Sequence, residues 1–286
     1  MPEGDAIFRT ARALDRALAG RTLTGFQSML PHLTRIDDDQ PLAGRTVKRV
    51  RAAGKHVLVE LSGNLVLRTH MRMHGSWHVY RTGERWRRPR PQMRIVLETD
   101  AYTAVAFNVP VAEFVCESDV SKHPALGQLG PDLLAPSLDV DACVERLRGE
   151  GTLRIAEALL DQRLVAGIGN VYKSEVCFLC RVNPFDPVAD LHDDQLRCLL
   201  STARRLLQVN VGSSATGQIV TRRTLRSMTG RADPEGKVWV YGRAGRPCRR
   251  CGHPVRRSVQ GDQARSTYWC ARCAPPARQT GSSSEG

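Results

Sequence analysis

Apolar residues in the first twenty positions recur at helical spacing. Ile7, Phe8, Ala11, Leu14 and Leu18 fall three or four apart, and Gly20 supplies a stop, so residues 2–19 are expected to form an amphipathic helix. After Gly20 the period shortens. The segments TVKRVRAAGKHVLVEL, NLVLRTHM, SWHVYRTG, MRIVLETDAYTAVAF and VAEFVCES read as strands separated by Gly, Asn, Arg or Pro clusters, at spacings typical of an antiparallel sandwich or barrel. LGQLGPDLLAPSLD is a Gly- and Pro-punctuated linker. Beyond it the segments DVDACVERLRG, TLRIAEALLDQ, NVYKSEVCFLCRV and HDDQLRCLLSTARRLLQVNVG carry apolar stripes of helical period, as in a small bundle. The stretch at 213–236, rich in Thr, Ser, Arg and Gly, reads as mobile, and residues 275–286 read as a disordered tail.

The expected division is therefore a β domain over 1–125, a linker over 126–139, a helical domain over 140–236, a terminal unit over 237–274 and the tail. The fold class is α+β with several domains. No apolar run approaches the length of a membrane span, and acidic Glu3 and Asp5 stand where a basic leader would be, so a cytoplasmic protein is expected.

Charge narrows the partner. Over 286 residues the net charge is +13, carried mainly by Arg, whose planar fork suits phosphate, and nucleic acid is the expected ligand. A basic amphipathic helix with an apolar face, which an anionic membrane would need, is not evident. From Lys237 to Gly286 there are ten Lys or Arg against two acidic residues, so the charge concentrates in the terminal unit.

That unit contains the strongest motif. Cys248-Arg-Arg-Cys251 is followed after 18 residues by Cys270-Ala-Arg-Cys273, a spacing suited to two knuckles at the ends of a β-hairpin that share one zinc ion. Four thiolates close the tetrahedron, so the ion is expected to be structural, folding a segment too short for its own core. His253 is surplus to that set and reads as a surface or phosphate-facing residue. An odd total of nine cysteines argues against a disulfide framework, and Cys177 and Cys180, within a helical stripe, read as core. Arg265, Tyr268 and Trp269 in the hairpin fit either a nucleic-acid contact or a solvated loop whose rings pack on the metal site.

Two further stretches leave alternatives open. In LVAGIGNVYKSE, Gly167 and Gly169 permit a tight turn and Asn170 is placed as the N-cap of the next helix; this is either an ordinary interhelical turn or an anion-binding one. The opening MPEGD is either incidental or functional, since removal of Met1 would leave a secondary amine at Pro2.

Taken in order, MPEG, GKHVLVEL, THMRMHGSW, LLDQRLVAGIGNVYKSE and VYGRAGRPCRRCG with RSTYWCARC resemble the formamidopyrimidine-DNA glycosylase and endonuclease VIII family, and most closely the endonuclease VIII branch of actinobacterial type. The resemblance spans nearly the whole chain. It implies an N-terminal helix with a β-sandwich, a helix–two-turn–helix domain and a C-terminal zinc-finger hairpin, with damaged DNA held between domains. It also implies a bacterial enzyme, nucleoid-associated when bound to DNA, with no organic cofactor; nothing in the sequence demands an oligomer, so a monomer is expected. The implied activity is bifunctional: oxidised bases, chiefly pyrimidines, are removed through a Schiff base on Pro2, followed by β/δ-elimination of the strand. Pro2 is then the nucleophile, Glu3 the proton carrier and Lys55 a catalytic phosphate contact. His70, Asn170 and Arg265 grip the backbone, and Glu175 orders that clamp. Arg72, Met73 and His74 form the wedge that fills the gap left by the extruded base, although Met73 also reads as a core side chain on a strand.

Two departures stand against the family pattern. Ala6 replaces a second glutamate, leaving its role absent or moved to Asp5, and AVAFNVPVAEF replaces the Arg-rich stretch that probes the opposite strand, with Phe107 as the remaining candidate to stack there. Lesions in single-stranded or bubble DNA thereby join duplex lesions as expected substrates. The competing readings are an enzyme limited to abasic-site lysis and a non-catalytic, zinc-dependent protein that binds damaged DNA.

Overall fold

The structure, a computed structural model, describes residues 2–212, 219, 221 and 238–276. Most of the 213–236 stretch and most of the expected tail lie outside the described residues. The chain divides into two compact units, Met1–Leu129 and Gly130–Gly286.

The first unit begins with α1 (Gly4–Leu18) and β1 (Gly25–Ser28), then α2 (Pro31–Asp39). Seven strands follow: β2 (Val47–Ala53), β3 (His56–Leu61), β4 (Leu65–His70), β5 (Ser76–Arg81), β6 (Met93–Glu98), β7 (Tyr102–Phe107) and β8 (Val111–Cys116). They form two four-stranded antiparallel sheets, ordered β1-β6-β7-β5 and β2-β3-β4-β8. Alternation along the strands builds the shared core. Val57, Val59 and Leu61 of β3 join Leu67 of β4, Ile95 and Leu97 of β6, and Ala104 and Ala106 of β7, while Ile7, Leu14 and Leu18 bring in the stripe of α1. The opposite face of β3 carries Glu60, whose carboxylate accepts from Arg49 Nε at 2.5 Å and Arg51 Nε at 2.6 Å.

The helix α2 departs from the expected run of strands. Pro31 at its first position presets the backbone, but Leu33 is its only buried residue, so the sequence carries no apolar stripe to reveal it.

The second unit contains α3 (Val140–Arg148), α4 (Ile155–Ala158), α5 (Asn170–Leu179), α6 (Asp193–Gly212), and the hairpin β9 (Arg256–Gln260) and β10 (Arg265–Trp269). Asp139 caps α3 by accepting from the Asp141 and Ala142 amides. The α6 stripe, Leu196, Leu199, Leu200, Ala203, Leu206 and Leu207, packs on Tyr172 and Val176 of α5 and on Leu147 of α3. The α4 segment is one turn rather than the three that TLRIAEALLDQ suggests.

Cys177 lies in this core as expected, its thiol pushed up to about 12 by burial. Cys180 does not simply pack there. It forms a disulfide with Cys198, the two Cα atoms 6.0 Å apart, because neighbouring helices bring together two sulfurs that lie 18 residues apart in the chain.

Candidate active site

At the N-terminus, partly exposed Pro2 precedes Glu3, which caps α1 in an extended conformation and is 1% exposed. The first turn of a helix favours negative charge, and Asp5 adds to it. Asp5 is itself buried and accepts from Arg9 Nη1 at 2.8 Å, an i,i+4 pair on the same helix. The carboxylate nearest Ala6 is therefore engaged with Arg9.

Lys55 sits in the turn between β2 and β3, directly after Gly54, whose φ of 54° lies in the left-handed region. The next residue, His56, faces His70 across the β3–β4 register, with ring centroids 4.7 Å apart. Burial, then the cations Arg68 and Arg72, lowers His70 to about 4; burial and Arg68 lower His56 to about 3. Both imidazoles are neutral at pH 7. The Arg72 amide donates to His70 Nδ1 at 3.2 Å, which leaves the proton on Nε2 and makes that nitrogen a donor.

The strand β4 ends at His70, so Met73 is not a core residue on a strand. Arg72 takes a φ of 45°, and the Gly75 amide closes the turn onto Met71 O at 2.9 Å. A Cβ at Gly75 would stand 2.5 Å from that oxygen, so only glycine fits. The turn presents Met73 at 55% exposure between exposed Arg72 and His74. These three line a recess of about 600 Å³ with Arg94, Asn108, Val109 and Pro110.

Phe107 cannot stack on an opposite-strand base. It is wholly buried in β7 and meets His78 and Trp86 edge-on at 5.5 and 5.8 Å.

In the second unit Gly167, at φ 108°, turns the chain into α5. The N-cap is Gly169 and Asn170 is the first helical residue, so the helix starts one position earlier than the sequence suggested. Asn170 Oδ1 accepts from Lys173 Nζ at 2.8 Å. Glu175, fully buried, accepts the backbone N–H groups of Trp239 (2.8 Å), Val240 (2.9 Å) and Tyr241 (2.9 Å), and also the Thr221 hydroxyl. The chain entering the metal-binding unit is thus ordered by a carboxylate from α5.

The four cysteine sulfurs lie within 4.8 Å of one another, Cys248 with Cys273 at 3.8 Å and Cys251 with Cys270 at 3.5 Å. A tetrahedron with metal–sulfur bonds of about 2.3 Å has edges of about 3.8 Å, so this donor set fits one zinc-sized ion. Gly252, at φ 74°, shapes the first knuckle, and His253 is exposed, contributing its carbonyl to the Cys248 amide at 2.7 Å. Between the knuckles, Tyr268 packs on Tyr241 and Trp269 on Phe185, with centroids 5.0 and 4.6 Å apart, so both rings serve packing. Arg265 opens β10, its guanidinium donating to Gln263 Oε1 at 2.8 Å. Arg250, unremarked in the sequence, lies 4.3 Å from the Phe178 ring centroid and donates to the Phe178 carbonyl, seating the first knuckle on α5.

Residues 1–110 match the family model described as the formamidopyrimidine-DNA glycosylase N-terminal domain, and residues 129–221 the formamidopyrimidine-DNA glycosylase H2TH domain. The chain is 43% identical over 285 residues to "Probable endonuclease 8 2" of Streptomyces coelicolor, covering 98% of this chain and 97% of the relative. The chain belongs to the formamidopyrimidine-DNA glycosylase family, in its endonuclease VIII branch. A second family relative, "DNA-(apurinic or apyrimidinic site) lyase Nei2" of Mycolicibacterium smegmatis, is 37% identical over 273 residues, 96% of this chain and 98% of that one. The glycosylase fold itself recurs in the crystal structure of Lactococcus lactis formamidopyrimidine DNA glycosylase bound non-covalently to abasic-site DNA. That structure covers 96% of this chain and 100% of its own, with a TM-score of 0.78 and 22% identity. Among the described residues of this family member, no helix is long and apolar enough to cross a membrane.

Proposed function

We propose that the protein is a bifunctional DNA glycosylase and abasic-site lyase of base-excision repair, acting on oxidised bases and chiefly on pyrimidines. The observation that carries this reading is the buried Glu3 carboxylate at the N-cap of α1, immediately after Pro2, in a unit matched by the glycosylase domain. Once Met1 is removed, the Pro2 nitrogen attacks C1′ of the damaged nucleotide. The N–C1′ bond forms, the bond to the base breaks, and the departing base takes a proton that Glu3 can deliver. The C1′–O4′ bond then opens, O4′ taking a proton that Glu3 can again deliver, and C1′ becomes an iminium on the Pro2 nitrogen; this draws electrons from C2′ as its proton is lost, and the C3′–O bond to the phosphate breaks. A terminal amine suits this step because it is less basic than a lysine.

Lys55 and His70 in the first unit, and Asn170 and Arg265 in the second, are the proposed backbone contacts. His70 acts as a neutral Nε2–H donor rather than as a cation. The Arg72–Met73–His74 turn is the proposed wedge, its exposed methionine available to fill the vacated stack. Cys248, Cys251, Cys270 and Cys273 are proposed to hold one structural zinc ion, which when bound supplies the cross-link that keeps the hairpin folded and takes no part in the chemistry. The protein is proposed to act as a monomer. With Phe107 buried and no arginine in its own segment AVAFNVPVAEF, lesions in single-stranded or bubble DNA are proposed substrates alongside duplex ones.

Borohydride trapping tests this directly. A covalent adduct should form with oligonucleotides carrying an abasic site or an oxidised pyrimidine, and its absence from both would overturn the reading. A narrower reading, lyase activity alone, is favoured by Ala6, which supplies no carboxylate, and by the engagement of Asp5 with Arg9. Trapping on abasic-site DNA but not on the damaged base would select it.

A further inference from the structure

Lys173 lies on α5 and is wholly buried. Burying an ammonium group costs several kcal/mol unless acceptors surround it. Acceptors within reach of Nζ include Thr267 Oγ1 at 2.7 Å, Asn170 Oδ1 at 2.8 Å and the Ser266 carbonyl at 3.1 Å. With no exposed surface, Lys173 cannot meet a ligand itself. Its effect must pass through the groups it holds.

We propose that Lys173 is a positioning residue that presets the Asn170 carboxamide for a backbone phosphate and ties it to the strand that carries Arg265. An ammonium group only donates, so the Asn170 atom facing it must be the oxygen. The Asn170 Nδ2 hydrogens are thereby turned away from Lys173, presenting donors where a freely rotating amide would present its oxygen to an anion half the time. The far end of the bond network is equally directional. Thr267 Oγ1, accepting from Lys173, donates its own proton to Gln260 Oε1 at 2.5 Å, and Gln260 Nε2 donates to the Pro184 carbonyl at 3.3 Å. Gln260 pairs with Arg265 in the hairpin register, and Ser266 and Thr267 are its neighbours on β10. One buried cation therefore fixes both the amide orientation at the start of α5 and the strand beginning at Arg265.

The inference rests on the proposed role of Asn170 as a phosphate contact, and the test separates the two. The zinc-loaded full chain is titrated by fluorescence anisotropy against a duplex bearing a single tetrahydrofuran abasic-site analogue. N170A and K173M should each weaken binding roughly tenfold, the loss expected for one hydrogen bond to a charged group. The double variant N170A/K173M should be no weaker than N170A alone, within about twofold. K173R, which keeps the donors, should stay within about threefold of the parent. Additive losses near a hundredfold, or a folded K173R as weak as K173M, would overturn the positioning role while leaving Asn170 a phosphate contact. No loss in N170A would remove that contact and the Lys173 role with it. If K173M fails to retain one zinc per chain, K173Q replaces it with the same outcomes, since its polar head falls one bond short of Asn170.

Discussion

The Tyr241 backbone N–H donates to Glu175 Oε1 at 2.9 Å, joining a buried helical carboxylate to the chain that leads into the four-cysteine unit. The amides of Trp239 and Val240 meet the same carboxylate, so three successive N–H groups form an anion-binding concavity filled from within the protein. Glutamine at this position would set an N–H₂ against N–H donors. Glu175→Gln is therefore expected to destabilise the second unit by about 2–3 kcal/mol, read as a fall of several degrees in its melting temperature. An unchanged melting temperature would show that the contacts form without consequence for stability.

Removing the metal should act more locally than a core substitution. The cluster of Cys248, Cys270, Val255, Val240 and Phe178 is small, and two of its five buried residues belong to the sulfur site. Chelation is expected to unfold β9 and β10, release Arg250 from Phe178 and abolish DNA binding, while the first unit keeps its fold because its core is separate. Far-ultraviolet circular dichroism with a metal assay would follow this, and one zinc per chain should be recovered. Retention of the hairpin after complete metal loss would contradict it.

How much of this could be read in the sequence depends on the range of the cause. The stripes of α1 and α6 are local and name their own buried faces, and the nearly continuous apolar run of β3 marks a strand buried on both faces. The cysteine spacing is nearly local, because a knuckle is only four residues long. By contrast α2 has a single anchor in Leu33, which no periodicity can register. Nothing local in the sequence marks Lys173, because its burial depends on Ser266 and Thr267, 93 and 94 residues further on. Phe107 was misjudged for the same reason, since His78 and Trp86 on other segments cover it. Cys180 finds Cys198 only once two helices have packed. The site residues of the N-terminus were legible only through the resemblance, as two residues carry too little pattern.

The histidine pair makes stability depend on pH in a defined direction. Burial and nearby cations lower His56 to about 3 and His70 to about 4, against about 6.5 in an unfolded chain. As pH falls below 6.5 the unfolded chain takes up protons that the folded one refuses. Stability fully present above pH 6.5 is therefore lost progressively as pH falls, down to about pH 4 for His70 and about pH 3 for His56, by up to about 2 kcal/mol at pH 5 for buried His56. Denaturant midpoints measured from pH 7.5 to 5 should fall accordingly, and His56→Phe should flatten the curve. A profile of the parent that is level across this window would be incompatible with neutral, buried imidazoles.

Met73 offers the sharpest separation of function from stability. Its side chain is 55% exposed at the tip of a turn whose geometry is fixed by Gly75 and the Arg72 backbone, not by the methionine. Met73→Ala should change unfolding free energy by less than about 0.5 kcal/mol. Extruding a base from a duplex costs a few kcal/mol, and an apolar wedge offsets part of that only where a stack exists to be filled. The variant is therefore expected to trap a duplex lesion roughly tenfold more slowly while losing little on the same lesion in a single strand. Equal loss on both substrates would mean that Met73 contacts the nucleotide rather than the gap behind it, and a large fall in melting temperature would return it to a packing role.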